Sequence, residues 1–220
     1  MESGAGERSL EDDYESLLST TDAELLKQAW RNEKASPEIL KFQDALIHRS
    51  RQQIQLMEET VGEFNKNGVD SLTVSLYQMD LDRTMFLLRS YLRTRLQKIE
   101  KSVFHIEKTT ELLNRLSRQE LEFAERFAED LKDHLQNSVL LKLPSQYQSH
   151  LKQSSASEED DMVPKPKLDT YVVCRSKKFL GAVLLDESGE DPVNIEADDL
   201  YALPYQSIKS LVESGQIDLV

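Results

Sequence analysis

Apolar residues recur at steps of three or four through most of the first 140 positions, a spacing that predicts helices. The longest such stretch centres on Met79–Lys101 (MDLDRTMFLLRSYLRTRLQKIEK), which has no Gly or Pro and is rich in Leu, Met and Arg, good helix formers. Leu72, Leu76, Met79, Leu88, Leu92, Leu96, Ile99 and Val103 keep the step, apart from a longer gap around Arg83. One face therefore stays apolar for about eight turns. Arg83, Arg89, Arg93, Arg95, Lys98 and Lys101 lie among and beside this stripe. Their stems cover its edges, and their heads can reach acidic groups on neighbouring helices. A helix of about 30 residues spans about 45 Å, more than a small bundle core covers. It is either a bundle helix or one shared with another subunit.

The same reading organises the rest of the chain. Residues 1–20 form an acidic tail in which Leu10, Tyr14, Leu17 and Leu18 share one face of a short helix. Such a helix is marginal alone, so it either docks in a partner's groove or extends the first bundle helix. Thr21–Glu24 (TDAE) reads as a capping box opening a helix through Leu25, Leu26, Ala29 and Trp30. Trp30 is expected to pack in the core. Ser36-Pro37 reads as the start of a second helix that runs to about Asn65 and is stopped by Asn67-Gly68. The central helix starts near Ser71. Ser117–Glu120 (SRQE) is a second capping box, opening a helix that Pro144 closes.

Beyond that point the period changes. Residues 145–162 are Gln/Ser-rich, then acidic, and read as a flexible linker. Leu168–Arg175 and Phe179–Asp186 have strand composition, and Pro192–Glu196 is a weaker third strand. Pro204–Ser214 reads as a short helix with Gly215 past its end, and Gln216–Val220 as a last strand. The expected fold is mainly α: a long-helix A domain over residues 21–144, then a small β-rich B domain over residues 163–220. A unit of about 58 residues is marginal by itself, so the B domain is expected to lean on the bundle or a partner.

Composition narrows the class. The charge of −13 is uneven, with eight acids against one base in residues 1–24, and near neutrality in the helical body. A chain that grips duplex DNA alone shows a basic face and a high pI, whereas here the pI is near 4.8. No strong independent DNA binding is expected. No apolar run approaches the roughly 20 residues that span a bilayer, and the start MESGAGERSL is unlike a signal peptide. Cys174 is the only cysteine, which fits a reducing compartment. Phosphate-loop, dinucleotide, zinc-protease and serine-hydrolase motifs are all absent from the sequence. Asp80/Asp82 and Asp198/Asp199 do not have the arrangement of a carboxylate pair. The expectation is a protein without enzymatic activity, metal or cofactor.

Three longer words carry more. Gln28–Leu40 reads QAWRNEKASPEIL, Tyr91–Lys101 reads YLRTRLQKIEK, and Val163–Arg175 reads VPKPKLDTYVVCR. In this order they resemble the Sld-five subunit family of the eukaryotic GINS complex, over about residues 22–220. The resemblance implies a heterotetramer with three Psf-type subunits that joins the hexameric MCM motor and the Cdc-forty-five protein as the replicative helicase in the nucleus. The ATPase of that machine belongs to the motor. The family's helical signature falls on Trp30, Glu33, Pro37, Arg83, Tyr91, Leu92, Arg93, Arg95, Leu96, Lys98, Ile99 and Glu100. Its B-domain entry falls on Pro164, Pro166, Leu168, Asp169, Tyr171 and Arg175.

Among these, the expected subunit contacts are Trp30, Arg83, Tyr91, Leu92, Arg93, Arg95, Leu96, Lys98, Ile99, Pro164, Pro166, Leu168, Asp169 and Tyr171, with Ile217 and Leu219 from the last strand. Whether Arg93 and Arg95 pair within the chain or across an interface is left open. In fungal relatives an acidic N-terminal helix binds a trimeric replisome adaptor. Leu10, Asp12, Asp13, Tyr14, Leu17 and Leu18 look similar, although Glu15 stands where an apolar residue is expected. The alternative reading is a stand-alone nucleic-acid-binding or adaptor helical protein.

Overall fold

A computed structural model describes residues 21–184 and 192–220. Leu10, Asp12, Asp13, Tyr14, Leu17 and Leu18, the expected adaptor motif, lie outside the described residues. The helices are α1 (Asp22–Ala35), α2 (Asp44–Lys66), α3 (Ser71–Lys108), α4 (Thr110–Leu113), α5 (Arg118–Ser138) and α6 (Tyr205–Glu213). The strands are β1 (Tyr171–Ser176), β2 (Gly181–Leu184), β3 (Pro192–Ile195), β4 (Leu200–Pro204) and β5 (Ile217–Leu219). A mainly α chain with a small β-rich end is thus the fold class.

The chain divides into two compact units. In the first, described residues 21–30 and 43–90 bury Leu26, Leu46, Ile47, Ile54, Val61, Leu81 and Leu87. Phe64 and Tyr77 meet edge to face, with centroids 5.2 Å apart. The turn between α2 and α3 needs a left-handed residue, and Gly68 supplies it at φ +66. Trp30 is half-buried, and its indole N–H donates to Ser90 Oγ at 2.9 Å.

The second unit holds residues 31–42 and everything described from Tyr91 onward. Its helical cluster comprises Ile39, Ile99, Val103, Phe104, Ile106, Leu112, Ala124, Ala128 and Val163. Ser117 and Glu120 form the expected capping box at the start of α5, each satisfying the other's backbone N–H. The strand β1 lies between β4 and β5, antiparallel to both, with Val173 opposite Ala202 and Cys174 opposite Leu219. β2 and β3 pair separately. Alternation along β1 buries Val172, Cys174 and Ser176 and exposes Tyr171, Val173 and Arg175. Gly215, at φ +75, ends the α6 turn and sends the chain into β5. Ala35 and Leu40 pack against the β-rich core of Val172, Tyr205, Ile208 and Ile217.

Two readings need correction. Ser36-Pro37 does not start a helix: α2 begins at Asp44, and residues 36–43 are non-helical. Ser36 Oγ bonds to Glu38 O at 2.9 Å instead of capping. The reason is tertiary, since side-chain cations take the carbonyls that a helix would have used. Of the two alternatives for α3, its own chain leaves the first half of the apolar stripe uncovered. Leu72, Leu76 and Met79 are 66%, 57% and 67% exposed, while Ile99 and Val103 are buried. Inward positions in the first half of α3 are instead Leu81, Thr84 and Leu87. Finally, β4 was absent from the sequence reading.

Over residues 145–162 the structure has a short 3-10 turn, Ser145–Tyr147. Ser155 N donates to Gln146 O at 2.9 Å, and Gln153 N to Asp161 at 2.7 Å. Leu151 packs against the helical cluster, and Asp160 pairs with Lys108.

Candidate functional site

Within the second unit, the extended segment 36–42 offers backbone carbonyls that no helix or sheet satisfies. Buried carbonyls need donors, and three cations supply them. Arg95 donates to Leu40 O at 2.7 Å, Arg115 to Ile39 O at 3.1 Å, and Lys98 to Glu38 O at 2.8 Å. Helix α3 places Arg95 and Lys98 one turn apart on this side.

Arg95 is fully buried. Its guanidinium bonds Glu120 at 2.7 and 3.1 Å and Glu33 at 2.9 Å, and also donates to Arg115 O at 3.1 Å. The same Glu120 closes the α5 capping box, so one carboxylate joins helix start and helix core. Phe42 and Tyr91 lie against the guanidinium, with ring centroids 5.2 and 5.7 Å away. Burial alone would lower the Arg95 pKa; the bond to Glu120 and the charge of Glu33 outweigh it and raise it. Lys98 bonds Glu33 Oε1 at 2.9 Å and Ser36 Oγ at 2.8 Å, and also reaches Glu33 O. Here burial wins, and the amine is held below its ordinary value despite Glu33.

A second layer joins this network to the C-terminal helix. Glu38 takes Arg115 at 3.2 Å, Lys209 at 3.1 Å and the Tyr205 hydroxyl at 3.0 Å. Arg115 also pairs with Glu213 at 2.7 Å. Burial, then the neighbouring Glu38 carboxylate, pushes the Tyr205 hydroxyl well up. Leu219 N donates to Asn32 Oδ1 at 2.8 Å. Residues from α1, α3, α5 and α6 are thus held through Glu33 and Glu38. Tyr205→Phe removes one hydrogen bond to a buried carboxylate, a loss of about 2 kcal/mol. The expected melting midpoint falls by roughly 4–8 °C. An unchanged midpoint would mean that Tyr205 contributes only its ring.

The network is suited to holding parts together, since its polar atoms are saturated by one another. Elsewhere, Cys174 is buried and its thiol is pushed up to about 11, away from thiolate chemistry. Among the described residues, no group of three or more His, Cys, Asp or Glu is placed to hold a metal ion. No described helix is long and apolar enough to cross a membrane.

The sequence-selected residues separate by exposure. Tyr91, Arg95, Ile99, Ile217 and Leu219 are buried in this chain's own core. Trp30, Leu92, Leu96, Lys98, Pro166 and Leu168 are half-buried. Arg83, Arg93, Pro164, Asp169 and Tyr171 are exposed. Of the two alternatives for Arg95, its ion pairs are within the chain. Sequence reasoning did not single out Glu38, Arg115, Tyr205 or Lys209; the one signal was that Glu38 falls inside the Gln28–Leu40 word.

Two apolar surfaces remain. On the first half of α3, Leu72, Leu76, Met79 and Phe86 are 57–67% exposed and follow one another at steps of four, three and seven, with exposed Arg83 between the last two. On the outer face of the three-stranded sheet, Tyr171, Val173, Leu200 and Val220 are 46–70% exposed. Contiguous apolar patches of this kind mark interaction surfaces.

Comparison with known proteins adds the following. Residues 45–139 match the family described as "GINS complex protein helical bundle domain". Residues 166–220 match "DNA replication complex GINS protein SLD5 C-terminus". A relative from Arabidopsis thaliana, named DNA replication complex GINS protein SLD5, is 59% identical over 210 residues, covering 94% of this chain and 95% of the relative. The human protein of the same name is 34% identical over 206 residues, covering 90% and 88%. The one from Dictyostelium discoideum is 28% identical over 220 residues, covering 94% and 98%.

Proposed function

The chain belongs to the SLD5 family of GINS DNA-replication subunits, and on that premise we propose that it is a non-catalytic structural subunit of a GINS heterotetramer. Its partners in this reading are three Psf-type subunits. The tetramer joins the hexameric MCM motor and the Cdc-forty-five protein as the replicative helicase and acts in the nucleus during initiation and elongation. The observation that carries the scaffold role is the exposed stripe Leu72–Leu76–Met79–Phe86 on a long helix whose other half is tied into the chain's own core. A stripe left uncovered by its own chain suits burial against a sister subunit, as in obligate interfaces.

The interface residues in this reading are Leu72, Leu76, Met79, Arg83, Phe86 and Arg93, with the exposed B-domain positions Pro164, Asp169 and Tyr171. In this reading residues 163–220 are the B domain, and the pairs Tyr205–Glu38 and Arg115–Glu213 support its attachment through α6. The N-terminal acidic motif serves as the adaptor-binding element. The nucleic-acid reading is weakened because Arg95 is enclosed by Glu33 and Glu120 and has no surface for phosphate.

Reconstitution with purified motor hexamer and Cdc-forty-five protein tests the proposal. Unwinding of forked DNA is expected only when the tetramer containing this chain is present, with no ATP hydrolysis by the chain alone. Unwinding that is indifferent to its omission would overturn the scaffold reading.

A further inference from the structure

A groove of about 390 Å³ lies wholly within the second unit, between the 37–39 segment, the second half of α3 and the 164–170 segment. Its floor is aliphatic: Ile39, Ile106, Leu112 and Pro166. Its rim carries the cations Lys101, Lys165 and Lys167, and also His105, whose imidazole burial and then Lys165 hold below its ordinary pKa. Lys101, Lys165 and Lys167 are exposed, and among the described residues none of them forms an ion pair within the chain.

The two other charged lining groups are each paired within the chain. Glu38 is neutralised by Arg115 and Lys209. The Lys98 ammonium is held by Glu33 and Ser36. The groove therefore presents net positive charge around an apolar floor, in a chain whose overall charge is −13. Rim cations that form no ion pair among the described residues attract anionic partners and raise their rate of encounter.

We propose that this groove binds an acidic linear peptide of a partner protein, with an aliphatic or aromatic anchor on the floor and flanking carboxylates on Lys101, Lys165 and Lys167. The volume falls within the range of ligand pockets, roughly 300–1,000 Å³. A nucleic acid fits the same charge but not the same floor. Bases stack on aromatic rings, and His105 is the one aromatic residue in the lining. An anchor side chain needs only a concave aliphatic surface, which is what the floor provides. Every lining residue belongs to this chain, and because Pro164 also stands among the proposed subunit contacts, the inference rests on the proposed function.

The test uses the full chain in its assembly with the sister subunits. Light scattering on the same sample establishes first that the assembly is intact, so that failure to assemble and failure of the groove are told apart. The probe is a fluorescein-labelled peptide of about ten residues with Leu-Phe at its centre and Asp or Glu elsewhere, followed by anisotropy. Saturable binding with Kd below about 100 μM is expected. A peptide with Ser-Ser at the centre, and the surface variant K101E/K165E/K167E, should each weaken it by about tenfold or more. Absence of binding overturns the proposal. So does unchanged affinity in the lysine variant, equal affinity of the Ser-Ser peptide, or displacement of the probe by oligothymidylate.

Discussion

Arg95→Met is expected to destabilise the chain by roughly 3–5 kcal/mol, the cost of breaking a buried ion pair by removing one partner. Arg95 is 0% exposed and bonds two carboxylates and two carbonyls. Without it, Glu33 keeps Lys98, but Glu120 keeps only the backbone N–H of Ser117. A buried carboxylate with one partner is costly. For a chain of this size the melting midpoint is expected to drop by on the order of 10 °C. The second variant identifies the cause. R95M/E120Q removes the stranded charge, and Gln at the same position still closes the capping box. It is expected to regain part of the lost midpoint, as a double-mutant cycle would report. If the double variant melts no higher than R95M, the loss lies in packing around Phe42 and Tyr91 and the electrostatic account is wrong.

The pair L76D/M79D is expected to abolish assembly while leaving the chain's own helices intact. Both side chains are more than half exposed, so the folded chain loses little by the change. At an interface core, each substitution removes an apolar contact and buries a carboxylate, and hot-spot losses of about 2 kcal/mol or more per position are ordinary. Two such losses give on the order of a thousandfold weaker association. Circular dichroism of the variant should keep the helical signal, while gel filtration of the co-expressed subunits should show no four-chain species. A variant that still runs at the mass of the full assembly would move the interface away from this face of α3.

These two predictions sit at opposite limits of what the sequence makes legible. Local chemistry was readable. Ser117 and Glu120 stand three apart, and the capping box forms as written. Gly215 ends α6 because a left-handed residue is needed there, and the β-branched and aromatic composition of Leu168–Arg175 marks β1. Tertiary choices were not readable. Ser36-Pro37 has the same composition whether it opens a helix or an extended segment. The decision comes from Arg95, Lys98 and Arg115, which lie 55, 60 and 76 residues from the carbonyls of residues 38–40 that they take. β4 went unseen because a five-residue edge strand ending at Pro204 carries a weak signal of its own. Periodicity showed that Leu72, Leu76 and Met79 share a face. It could not show that their own chain leaves that face open, since coverage is a property of the folded unit. The family words, by contrast, were dense in residues that the fold buries, Tyr91, Arg95 and Ile99 among them. Such positions are constrained by packing and by saturated polar contacts. They identify a family well.

The central claim is that this chain is one of four subunits and covers its α3 stripe with a sister. Co-expression with the three Psf-type subunits, followed by size-exclusion chromatography with light scattering, tests it most directly. A single 1:1:1:1 species is the predicted result, with L76D/M79D absent from it. A well-behaved monomer of 25.3 kDa that ignores all three partners would contradict the account.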